Sequence, residues 1–233
     1  MWRLSGSVRP ARHPAYNPDI LTINPFIFMK MYTILLVWLL GSSFAIPLGN
    51  PEFTEADRQY AIQYFTESRD YLLQAVKGLR PGQASFKESP DRWSILECLE
   101  HMVLSENFIW AMAQESLDWP ADPAKRSEVQ VTDEQIVQML TDRTHKVKTF
   151  EALEPGGTYA TVEEAIKAFE KARNEHIGFI KTTKKDLRNH YVAHPVLGTI
   201  DSYQLLLFLA AHQTRHLKQV EEIKARPEFS QKK

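Results

Sequence analysis

His212 and His216 stand four residues apart in the segment Ala211 to Gln219. On a helix that spacing puts both imidazoles on one face with their Cβ atoms about 5–6 Å apart, close enough for one divalent ion to bridge them. Leu205, Phe208, Leu209, Val220 and Ile223 fall on or beside the same face, so the pair looks inward. Imidazoles turned towards a core are costly unless their nitrogens find partners, and a metal ion satisfies one nitrogen of each. His101, on an earlier stripe with Leu104 and Phe108, is the candidate third ligand. Glu97, one turn before it, could accept a hydrogen bond from the outer nitrogen of His101 or approach an ion directly. Three protein ligands leave a coordination position for water or substrate, the arrangement of catalytic zinc sites, where the ion acidifies water or acts as a Lewis acid. The pair is not the H-E-x-x-H protease motif, because Gln213 stands where that motif has glutamate. Spacing alone also fits two hydrogen-bonded histidines at a helix interface, whose stability neither metal nor chelator would alter.

Other residues carry two readings each. His194, before Pro195 in a loop, is a candidate acid or base beside the ion, or a solvated turn residue. Arg215 could bind a substrate carboxylate or phosphate, or form a surface ion pair. Cys98, three residues before His101, has no base assigned to it and reads as a small buried hydrophobe. It is the single cysteine in 233 residues, so neither an intramolecular disulfide nor a thiolate cluster can form. With eight histidines present, any metal must be held by imidazoles and carboxylates. A formal net charge of -1 offers no basic excess for phosphates, which argues against a nucleic-acid partner. Trp110, Trp119 and the aromatic residues of the first helix read as packing, and the charged residues from Glu163 to Lys185 as a solvated helix face.

The elements that must position these residues are helical. Thr54 caps a helix to about Gly78, followed by a Pro81-Gly82 turn and an extended stretch. Ser94 and Glu97 form a capping box that opens a second helix to about Leu117, with Trp93 before it as a hydrophobic staple. Residues 118–131 read as a polar loop, and Thr132 to about Thr144 as a short helix. Pro155-Gly156-Gly157 interrupts the chain before Thr161 and Glu164, a second capping box, open a helix to about Lys184. His190 to Thr199 is a loop, and Asp201 or Ser202 caps the last helix, which runs to about Ala225. The pattern holds no strands and no repeats. Four long helices and one additional short helix predict an all-α four-helix bundle.

The apolar run Tyr32 to Leu40, preceded by Lys30 and followed by Ser43 and Ala45, has the length of a secretory signal rather than of a membrane span. The expectation is an extension and signal peptide over residues 1–45, with translation starting at Met29 or Met31, cleavage near Ala45, and a periplasmic or secreted domain over 46–233. The alternative is an uncleaved N-terminal membrane anchor. The mature chain would carry 24 basic against 28 acidic residues, a formal charge of -4.

Trp93 to His101, His194 to Gly198 and Ala211 to Gln219, taken with the helical pattern between them, resemble the DinB-like (YfiT-like) four-helix-bundle domains over most of residues 54–225. The resemblance implies a divalent ion (zinc, nickel, iron or manganese) held by His101, His212 and His216. It implies relatives that are thiol-dependent transferases or are described as metal-dependent hydrolases. The expected activity is metal-dependent hydrolysis of a small-molecule substrate, with Glu97 and His194 as candidate catalytic groups. Thiol-dependent S-transfer is the alternative, although low-molecular-weight thiols belong mainly to the cytoplasm and an exported protein would lack them. A non-catalytic, metal-stabilised binding or stress-response domain is the third reading. A homodimer through outer helix faces is compatible with the pattern.

Overall fold

The computed structural model describes residues 52–145 and 147–232; the expected signal segment and its cleavage site lie outside them. Four long helices dominate: α1 (Glu55–Val76), α3 (Ile95–Ser116), α5 (Val162–Thr182) and α6 (Ser202–Lys224). Two shorter ones, α2 (Pro81–Ala84) and α4 (Asp133–Thr141), lie in the connections. Helix α1 packs on α5 and α6, and α3 packs on the same two, so α1 and α3 face each other across the diagonal of a four-helix ring. Helix α4 lies against α6. None of the described helices is long and apolar enough to cross a membrane.

The capping residues decide where the helices begin. Thr54, Ser94, Thr132 and Asp201 each accept the N–H three residues on, and Asp57, Glu97, Gln135 and Gln204 return the bond to the cap. Thr161 also accepts from Glu164, but the Glu164 carboxylate bonds the Ala160 N–H instead of that of Thr161, so the expected second box is only half formed. Helix α1 ends at Val76, two residues before Gly78, whose φ of +72° terminates it without the steric cost a side chain would add. Helix α4 stops at Thr141, short of the expected end, because Arg215 of α6 donates to the carbonyls of Leu140 and Asp142 and closes the helix there.

The expected loop over His190 to Thr199 is a two-stranded antiparallel ribbon, β1 (Tyr191–His194) with β2 (Gly198–Asp201). Its strands are four residues long, too short for alternation to stand out in the sequence, and their register depends on burying Ile200 beneath the bundle. Next to it Arg188 gathers the beginnings of three helices. Its guanidinium lies 2.7 Å from Asp57 and 2.7 Å from Asp133, and 3.3 Å from Asp201, over the ring of Tyr203. Those aspartates lie in the first turns of α1 and α4 and at the cap of α6, where negative charge also meets the helix dipoles.

The core is divided. One apolar cluster contains Phe65, Ile109, Ile177 and Ala210, the other Leu72, Leu99, Phe169 and Leu217. Between them a buried polar layer crosses all four long helices through Ser68, Glu106, Arg173, His176 and Gln213. The Glu106 carboxylate accepts from Arg173 Nη2 at 2.6 Å, His176 Nδ1 at 2.7 Å and Gln213 Nε2 at 2.9 Å. Arg173 also reaches Ser68 Oγ at 3.4 Å. Arg173 therefore corrects the expected solvated face of Glu163 to Lys185, because it is fully buried. Trp110 packs as expected, stacked on His176 at 3.9 Å, whereas Trp119 is 68% exposed and is not a packing residue.

Two outcomes follow from these ion pairs. Replacing Glu106 by Leu strands the Arg173 charge in the core and is expected to cost about 3–5 kcal/mol in urea unfolding; a loss below about 1 kcal/mol would show that the layer is not held by charge. At Asp57, burial pushes the carboxyl up, but the Thr54 bonds and the Arg188 guanidinium outweigh it and hold the group below its ordinary value. A depressed carboxylate contributes stability above its unfolded pKa of about 3.9 and loses it as pH falls through the folded value. Asp57→Asn should therefore flatten the acid limb of the stability–pH curve below about pH 4, and an unchanged limb would refute the assignment.

Candidate metal centre

Where α3 crosses α6 the three expected histidines meet. His101 and His216 are buried and His212 partly so, and one nitrogen of each lies within 4.8 Å of the other two. His101 Nε2 and His212 Nε2 are 3.4 Å apart. Two nitrogens bound to one tetrahedral zinc at ordinary bond lengths stand about 3.3–3.4 Å apart, so the spacing fits an ion.

The outer nitrogens decide which way the lone pairs point. His101 Nδ1 donates to the Leu153 carbonyl at 2.7 Å, and His216 Nδ1 donates to Gln219 Oε1 at 3.1 Å. Both partners are acceptors, so both rings carry their proton on Nδ1 and leave Nε2 as a lone pair. Arg143 donates to the same Gln219 oxygen at 3.4 Å, which holds that amide oxygen towards the imidazole. His212 Nδ1 is buried with no partner among the described residues. Burial, reinforced by the neighbouring imidazole of His101, pushes His212 down to about 3, and burial lowers His101 and His216 as well. All three rings are neutral at pH 7, the form that binds metal.

Aromatic rings wall the cluster. Trp93, expected as a staple, packs on His101 with ring centres 4.8 Å apart and stacks on His216 at 6.2 Å. Phe208 stacks on His212 at 6.3 Å, and His194 packs on the far side of the sequence of rings, 4.6 Å from Phe208. Ser105 Oγ lies 3.4 Å from His101 Nε2, the only hydroxyl bonded to the three histidines among the described residues.

Other expected placements differ. Glu97 does not reach His101: its carboxylate bonds the Ser94 N–H at 2.8 Å and pairs with Lys87 at 2.7 Å, and the Leu153 carbonyl takes the bond expected of it. His194 Nδ1 accepts the N–H groups of Val196 and Leu197, both at 3.2 Å, so it closes the ribbon's turn and is one ring removed from the cluster. Arg215 forms no ion pair among the described residues; its guanidinium donates to the carbonyls of Leu140, Asp142 and His145. The stripe drawn through Leu104 and Phe108 is rotated: Phe108 is 47% exposed, and His101 shares its buried face with Cys98, Met102, Ser105 and Ile109. Sequence reasoning assigned no role to Gln219, Arg143, Ser105 or Leu153. Gln219, three residues after His216 on one helix, carried a readable signal, whereas a backbone carbonyl from a distant loop carried none.

A helical bundle with three neutral imidazoles from two crossing helices, two of them tautomerically locked, defines a class of protein built around one potential ion site. The chain belongs to the DinB superfamily, whose sequence profile matches residues 64–220. It is similar to the uncharacterized protein YuaE of Bacillus subtilis (strain 168), 26% identical over 164 residues that cover 70% of this chain and 97% of that protein. It shares its fold with the solved structure of YfiT from Bacillus subtilis, described as "a probable metal-dependent hydrolase with an unusual four-helix bundle topology". That likeness has a TM-score of 0.50 and 14% identity, covering 73% of this chain and 87% of YfiT.

Cys98, though close to the centre in sequence, is fully buried, and burial pushes its thiol up to about 12. It should resist an aromatic disulfide reagent in the native protein and react fully in denaturant; rapid labelling of the folded chain would contradict that burial.

Proposed function

We propose that this protein holds one divalent metal ion through His101, His212 and His216 and hydrolyses a small molecule there. The observation that carries the reading is the pair of Nδ1 hydrogen bonds, which turn the Nε2 lone pairs of His101 and His216 towards the cluster with His212. Three imidazoles gathered in a buried place are costly unless their inner nitrogens find partners, and a cation among them would satisfy one nitrogen of each. The description of YfiT supports hydrolysis as the reaction class. Zinc, nickel and iron suit a set of three imidazoles, whereas manganese prefers oxygen ligands.

When bound, such an ion supplies Lewis-acid polarisation of a substrate oxygen and lowers the pKa of water. The chain's own residues do the rest. Trp93 and Phe208 cover the imidazoles with apolar rings, which excludes bulk water and strengthens every charge interaction inside. Ser105 presents a hydroxyl beside His101 and can hydrogen-bond a polar substrate atom. His194, whose Nδ1 lone pair is occupied by backbone N–H groups, carries its proton on Nε2, so its free ring nitrogen is a donor rather than a base. Glu97 is engaged in its cap and its ion pair and takes no part.

Elemental analysis of the untagged protein should give near one metal per chain, and His212→Ala should lose it together with at least about 100-fold of any hydrolysis found across ester, amide and phosphoester panels. Zinc at about 100 times its dissociation constant should stabilise the parent by about 2.7 kcal/mol and leave His212→Ala unchanged. Full metal or full activity in the folded variant would overturn the proposal.

A further inference from the structure

We infer that Glu100 is a positioning residue for the metal centre, acting through residues 153–158; the inference rests on the three-histidine reading above. Glu100 precedes His101 on α3 yet is only 2% exposed and turns away from the cluster towards the loop before α5. Its Oε1 accepts from the N–H groups of Gly156 at 3.0 Å and Thr158 at 2.9 Å, and its Oε2 from that of Gly157 at 2.9 Å. Three successive backbone N–H groups converging on one carboxylate make an anion-binding nest that the chain fills with its own side chain. Gly157 has a φ of +82°, a conformation that residues with a Cβ rarely adopt, so the nest depends on glycine there.

The same loop begins with the 3-10 turn Glu151–Leu153, and the Leu153 carbonyl at its end accepts from His101 Nδ1. Helix α3 therefore grips one short segment with two consecutive residues. The Glu100 carboxylate holds its N–H groups, and the His101 imidazole is held by its carbonyl. Only Glu154 and Pro155 separate the two grips. Charge-assisted bonds of this kind are about twice as strong as neutral ones. Glu100 thus anchors the loop, the loop places the Leu153 carbonyl, and that carbonyl fixes the tautomer and ring orientation of His101. Partners that orient a ligating histidine in this way typically change metal affinity by about 10–100-fold when removed.

The test compares the parent with Glu100→Gln, Glu100→Ala and Gly157→Ala, and with Leu187→Ala as a destabilised control in the opposite apolar cluster. Zinc affinity is read by chelator competition, and the His101 tautomer by nitrogen NMR of the metal-free protein. The Glu100 and Gly157 variants should bind zinc about 10–100-fold more weakly and show His101 as a mixture of tautomers, while Leu187→Ala loses thermal stability with both readouts unchanged. If Glu100→Ala does not fold, Glu100→Gln and Gly157→Ala decide by the same measurements. Folded Glu100 variants that keep zinc affinity within threefold and His101 protonated on Nδ1 would overturn the inference, as would equal weakening in Leu187→Ala. A parent that binds no zinc would instead defeat the three-histidine reading, and the tautomer measurement would still decide the role of Glu100.

Discussion

Burying a carboxylate in the middle of a helical bundle imposes a constraint that the rest of this structure obeys. Glu106, on α3, has no access to water, so its charge has to be met inside, and two helices supply donors for it: Arg173 and His176 from α5 and Gln213 from α6. Arg173 carries the network on to Ser68 of α1. Such pairs are a poor source of net stability because desolvation consumes most of the attraction. Their effect is on register. A rotation or slide of any one helix would leave a buried charge without its partner, at a cost comparable to a large fraction of a domain's total stability.

The metal centre inherits that register. His212 and Gln213 are consecutive on α6; one turns towards His101 and the other donates to Glu106 and to the Met102 carbonyl. The bond that closes the polar layer therefore also sets the angle at which His212 and His216 meet α3. Around this frame a set of outer contacts orients each ring: Leu153 behind His101, Gln219 and Arg143 behind His216, and Trp93 and Phe208 as walls. Precision at the cluster thus comes from helices for the imidazoles, whereas Leu153, Trp93 and Arg143 come from the connections, and the segment that carries Leu153 has an anchor of its own.

At the other end of the bundle Arg188 performs a related service for two partly exposed carboxylates, Asp57 and Asp133, and the buried Asp201. It joins the starts of α1, α4 and α6 and leaves those helices free of like-charge repulsion among Asp57, Asp133 and Asp201. The consecutive long helices α1 and α3 lie on a diagonal of the ring and the connection between them holds α2, while α4 fills the connection from α3 to α5 and the ribbon that from α5 to α6.

Much of this was legible in the residues themselves. The four long helices follow from local rules, because capping boxes at Thr54, Ser94 and Asp201 and apolar periodicity act within a few residues of chain. The i, i+4 pair His212 and His216 was visible for the same reason, and His101 could be paired with it because both stripes had to face inward. What the sequence could not determine was everything that depends on which groups meet across the bundle. Glu97 was as plausible a partner for His101 as any other acceptor until the fold brought the Leu153 carbonyl there from 52 residues away. Arg173 looked like one charge among many on a solvated helix, and only the approach of Glu106 made it the centre of the core. The ribbon at 191–201 was hidden because its strands are stabilised by the bundle beneath them rather than by their own pattern. Local geometry is written in spacing along the chain, whereas the partner of a buried polar group is chosen by packing, and it is packing that turned three inward histidines into one site.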